Sequence, residues 1–89
     1  MEKDHFHDRS YQGRQRELIN IGDYVFICEK HMQKTAERLE DLTCGKVIAI
    51  LTSKPYHPRG IKVKIITTGG REAIGRIVYL VKDYKILRS

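Results

Sequence analysis

The stretch Tyr56-His57-Pro58-Arg59-Gly60 sets a phenol, an imidazole and a guanidinium in close succession between Pro55 and a glycine. Their chemistry is recognition: a tyrosine or histidine ring stacks on an unpaired base, and an arginine fork pairs with a phosphate through two parallel hydrogen bonds. Each proline fixes its own backbone φ, so the loop can hold those groups in constant relation. The competing reading is structural, with the prolines and Gly60 making only a turn and His57 bonding a loop carbonyl. Directly after the loop, Ile61-Lys62-Val63-Lys64-Ile65 alternates aliphatic and cationic residues. In a strand, that pattern hides the aliphatics and presents both lysines on the opposite face. Arg76, on the strand expected to return alongside, shares that face if the register allows. With Lys46, Lys54 and Arg59 they would form a basic stripe able to track a nucleic-acid backbone. An ordinary solvated strand face is the alternative, and for Arg76 a guanidinium that bonds loop carbonyls to close a barrel. The candidate nucleic-acid-binding residues are thus Lys46, Lys54, Tyr56, His57, Arg59, Lys62, Lys64 and Arg76.

Other chemistries lack their signatures. Cys28, Cys44, His31 and His57 stand at no CxxC or HxxxH spacing, and His5-Phe6-His7 is a weak chelator, so no metal or other cofactor is expected. No nucleophile is accompanied by a local base-and-orienter signature, and Gly69-Gly70 falls in a hairpin instead of ahead of a helix. A catalytic site is not expected.

The charge is asymmetric. Residues 43–89 hold ten basic and two acidic side chains, within a chain of 89 residues and formal charge +6. A surplus gathered in one half favours anionic partners, because each cation placed on a phosphate releases condensed counterions. Solubility alone is the plain alternative. Hydrophobic residues at 40% and charged residues at 31% suit a folded domain, and the length allows one core. Charges run through the first eighteen residues without an apolar stretch, so neither a secretory signal nor a membrane span is expected there, and the cytoplasm is the expected address. In that compartment Cys28 and Cys44 are expected as free thiols.

Residues 1–18 are polar, follow no period and read as a flexible tail, with a single domain over 19–89. Tyr24 to Cys28 is rich in β-branched and aromatic residues and reads as a first strand. Residues 32–42 place Met32, Ala36 and Leu39 on one helical face, although Glu40-Asp41 opposes the dipole of such a helix, and an ordered loop is the alternative. Thr43 to Thr52 becomes a continuous apolar run, expected as a central strand covered on both faces at its far end. Residues 53–60 read as a loop. Ile61 to Ile65 and Arg71 to Val81 form a hairpin, with Gly75 marking a bulge or bend, and Tyr84 to Leu87 adds an edge strand. Short strands with one helical turn point to a mostly β fold, a small SH3-like antiparallel barrel, with an oligonucleotide-binding barrel as the competing topology.

Ile48 to Val63, IAILTSKPYHPRGIKV, resembles the YwbE-like family of small proteins, whose mark is an ILT…HP.GIKV segment followed by a Gly-Arg-Val element, matched here by Gly75-Arg76-Ile77. Ile21 to Val25 resembles the family's opening strand, and Lys30, Gln33, Thr35, Leu39, Thr43 and Gly45 match its KxxQxTGxLTxG stretch. Ala36 stands where that stretch has glycine, and the segments Thr35 to Thr43 and Ile66 to Ala73 are longer than the family's. The resemblance implies a KOW-like or SH3-like β-barrel, an architecture that often binds RNA or proteins. The expected function is a non-enzymatic module that binds nucleic acid, RNA first, through the basic strand face and the Tyr56 to Gly60 loop. The alternative is a protein-interaction module whose groove, lined by Tyr24, Tyr56 or Tyr79, takes a peptide or edge strand.

Overall fold

The strict alternation after Gly60 does form a strand. In the computed structural model, which describes Phe6, residues 9–82 and residues 85–87, it is β3, Lys62–Ile66. Before it come β1, Tyr24–Glu29, and β2, Thr43–Ile50. After it come β4, Glu72–Lys82, and a short β5, Lys85–Leu87. Each strand pairs antiparallel with the next, and β1 also pairs with β4, which closes β1 to β4 into a barrel and leaves β5 on the outside of β4.

Closure of so small a barrel needs sharp bends, and two extra residues supply them. In β2, Val47 pairs with Ile65 and Ala49 with Lys64, so Ile48 is extra. In β4, Ile77 pairs with Ile27 and Tyr79 with Phe26, so Val78 is extra. The bulge expected at Gly75 therefore lies three residues further on. Gly75 instead serves close approach: it pairs with Val63 of β3 and Glu29 of β1, and a Cβ there would lie 2.4 Å from the Cys28 carbonyl oxygen. The far end of β2 differs from expectation too. Ile48, turned outward by its bulge, is 37% exposed, so that end is not covered on both faces.

Val25, Ile27, Val47, Ile61, Val63, Ile65 and Ile77 fill the barrel with no exposed surface at all. At about 1.5–3 kcal/mol per side chain, this burial is the main drive for folding. A second cluster lies outside, where the bulge at Val78 lets Val78 and Tyr79 both face Phe6, Cys28, Ala36 and Leu42. Met32 and Leu39 pack on it as well, so the apolar face of residues 32–42 is used, but not on an α-helix. The segment has only 3-10 turns, Lys30–Met32 and Leu39–Asp41. The Asp41 carboxylate accepts hydrogen bonds from the Glu37 and Arg38 amides at 2.9 and 3.1 Å, and so takes over backbone donors that a continuous helix would need.

Phe6 and residues 9–18 of the expected tail lie against the barrel. Gly13 sits so close to Ile77 that a Cβ would be 2.7 Å from its side chain, and the Ser10 amide donates to the Val78 carbonyl at 2.7 Å. The rest of residues 1–8, with His5 and His7, falls outside the described residues, as does Tyr84 of the expected edge strand. Cys28 is buried and Cys44 exposed, both as free thiols. Among the described residues no helix is long and apolar enough to cross a membrane.

Candidate anion-binding cleft

The loop from His57 to Gly60 is built by hydrogen bonds at both ends. The Gly60 amide donates to the His57 carbonyl at 3.0 Å, and the Arg59 amide donates to His57 Nδ1 at 3.1 Å. Gly60 adopts φ of +103°, and a Cβ on it would fall 2.0 Å from the Ile77 carbonyl oxygen, so only glycine fits. The N-terminal segment then laces the loop in place. The His57 amide donates to the Arg14 carbonyl at 3.0 Å, the Ile61 amide to the Gly13 carbonyl at 2.8 Å and the Arg16 amide to the Pro55 carbonyl at 2.9 Å, while Gln15 bridges to Tyr56. Two guanidiniums hold the loop's outward carbonyls: Arg76 donates to Gly60 O at 3.2 Å, and the buried Arg9 donates to Arg59 O.

Beside this loop lies a cleft of about 560 Å³. His57 and Arg59 line it from the loop, Lys62 from β3, Ile74, Gly75 and Arg76 from β4, and Lys30 and Gln33 from the turn after β1. Four of these eight residues are cationic and none is a carboxylate. Lys62 and Arg76 are direct cross-strand partners, which puts two like charges face to face at a cost in stability. The cationic field reaches His57: burial first, then Arg76, Lys54, Arg59 and Arg9, hold its imidazole below the usual histidine value. Burial, and next the charge of Arg59, also lowers the Arg76 guanidinium below its ordinary range. An anion entering the cleft would offset the repulsion among these cations and favour the charged imidazole.

The eight candidate residues divide. His57, Arg59, Lys62 and Arg76 meet in the cleft. Lys54 stays on the exposed loop and acts on His57 through its charge. Tyr56 is exposed next to the cleft without lining it. Lys64, on the same face as Lys62, is bridged to Glu72 at 3.7 Å, so its charge is partly countered. Lys46 belongs elsewhere. It lies at the other end of β3, paired with Ile66 and with its ammonium 6.0 Å from the centroid of the exposed Tyr24 ring. Of the three tyrosines expected to line a protein-binding groove, Tyr79 is excluded, since it is 3% exposed and packs edge-on against Phe6.

Residue types and spacing assign none of Lys30, Gln33 and Ile74 to the site, and they put Arg9 and Arg14 in a tail. Lys30 and Gln33 stood out only through the family stretch they match. Nothing in the spacing of Arg9 foretells its bond to the loop.

Comparison with known families matches residues 12–79 to the model of a family described as uncharacterized conserved protein (DUF2196). No curated protein and no solved structure matches the chain.

Proposed function

The chain belongs to the DUF2196 family of uncharacterised conserved proteins, and we propose that it is a small RNA-binding module, not an enzyme, that seats phosphates in the basic cleft. The observation that carries this reading is the pairing of Lys62 with Arg76 in a concave site whose described lining holds four cations and no carboxylate. Fixed, converging cations without a counter-charge favour a polyanion, and the entropy of released counterions drives its binding. The YwbE-like resemblance adds support, because three stretches far apart in the chain that carry it, Lys30 with Gln33, the segment around His57 and Lys62, and Gly75-Arg76, all contribute to the cleft. We read the barrel as SH3-like or KOW-like, and the cytoplasm as its place of work. A protein partner is the runner-up.

The test is binding of the full chain to fluorescent pools of RNA and single-stranded DNA at low salt, followed by a salt titration. The expected result is binding that weakens steeply with salt and is lost in charge reversals of Lys62 and Arg76. Undetectable binding at low salt refutes the proposal. Retained binding in reversals of Lys62, Lys64 and Arg76, together with a partner that survives nuclease treatment of a lysate, favours the protein-interaction reading.

A further inference from the structure

A second concavity, of about 420 Å³, opens at the far end of β3, between Tyr24, Lys46, Ile66 and the turn residues Thr67 and Thr68. Tyr24 is 53% exposed, although it is a large aromatic on a core strand, and the exposed Lys46 holds its ammonium over the ring, 6.0 Å from the centroid. At that distance the cation–π contact is at the outer limit of its reach, so an unpaired base can take the ring face while the ammonium turns to the adjoining phosphate. The two concavities share one sheet face. Lys62, Lys64 and Ile66 alternate with the buried Val63 and Ile65, and Lys46 pairs with Ile66. One end of this row lines the cationic cleft and the other lines the Tyr24 concavity.

Resting on the RNA-binding reading above, we propose that a single RNA strand runs along the outer face of β3, with a phosphate in the cleft at Lys62 and Arg76 and an unstacked base on Tyr24. Lys62 and Ile66 stand four residues apart, about 13 Å at the usual rise of a strand. Successive phosphates of one strand are about 3.4 Å apart along a stacked helix and further apart when the strand is extended. About four nucleotides at the stacked spacing, and fewer in an extended strand, therefore bridge the two ends. Lys64 lies midway, and its bridge to the exposed Glu72 is open to exchange for a phosphate. A duplex cannot satisfy this path, because its bases are already stacked and paired. The ligand class is single-stranded RNA, with a minimum length set by the strand itself.

The experiment uses the full chain and oligouridylates of two, four and eight residues. It reads fluorescence anisotropy, and the amide NMR shifts of Lys62 and Arg76 for the shortest. Tyr24→Ala should weaken the four- and eight-residue ligands about tenfold, the usual loss for one stacked base, and leave the two-residue ligand unchanged. Tyr24→Phe should restore the loss, and Lys62→Glu should weaken all three. If the longer ligands bind, respond to Lys62→Glu and ignore Tyr24→Ala, the path is refuted while the cleft reading stands. If a duplex of equal length binds as tightly as the single strand, the path is likewise refuted. If no oligonucleotide binds at low salt, both fall together.

Discussion

Replacing Lys62 by glutamine should make the protein slightly more stable and a poorer binder of RNA. Lys62 and Arg76 are direct partners across β3 and β4, and like charges so placed cost about 0.2–1 kcal/mol. Lys62 is exposed, so solvent screens the repulsion and the lower half of that range applies, about 0.2–0.5 kcal/mol. For a domain of this size each kcal/mol moves the melting temperature by about 4–8 °C, so the gain should be about 1–4 °C. The backbone bond from the Lys62 amide to the Thr52 hydroxyl, 2.7 Å long, is untouched by the substitution. Against that gain, one phosphate contact is lost, and the slope of log affinity against log salt should become shallower by about 0.7. Thermal denaturation at low salt and anisotropy titrations at several salt concentrations measure the two effects. A melting temperature that falls by several degrees, or a salt slope that does not change, would refute the argument that Lys62 is held for its ligand and not for the fold.

Arg76→Gln should behave oppositely in stability, since it removes the bond to the Gly60 carbonyl; with hydrogen bonds of charged groups worth about 1.5–3 kcal/mol and relief of the Lys62 repulsion subtracted, urea unfolding should show a loss of about 1–3 kcal/mol. RNA affinity should rise as pH falls from 8 through the usual histidine value of about 6.5, because a bound phosphate favours the charged form of an imidazole that burial, and then its cationic neighbours, hold below that value when free. NMR titration should find the His57 midpoint below that value in the free protein and raised in the complex, and His57→Ala should flatten the pH dependence. The same depressed value means that the unfolded chain binds more protons below pH of about 6.5, so the free protein keeps the full His57 contribution above that pH and loses it as pH falls towards the folded midpoint. Gly75→Ala forces a Cβ to 2.4 Å from the Cys28 carbonyl oxygen, where β1 and β4 close the barrel. A loss of at least about 1–3 kcal/mol is expected, read as a melting temperature lower by about 4 °C or more.

Much of the site was legible because alternation is a local property. From Ile61 to Ile65 the period of two dictates that the aliphatics face one way and the lysines the other, whatever the rest of the chain does, and the structure buries Val63 and Ile65 and leaves Lys62 outside. Pro55, Pro58 and Gly60 likewise announced a loop, since their constraints act on their own backbone angles. The helical face at Met32, Ala36 and Leu39 was a real apolar face on a misjudged backbone. Its spacing shows which residues are buried, but the competition of the Asp41 carboxylate for two amides decides that no helix forms.

What the residues alone determined is a mostly β domain with a cationic second half and a braced loop next to an outward row of lysines. The tertiary structure decided which cations meet. Lys30 and Gln33 reach the cleft because β1 closes on β4. Lys46 is kept out of it because β2 pairs it with the far end of β3, while Arg9, seemingly in a tail, fastens the loop carbonyl. These juxtapositions depend on strand register and on the extra residues at Ile48 and Val78, which are set by hydrogen bonds between segments distant in the chain. No local period carries that information, because register is chosen by the closed barrel as a whole.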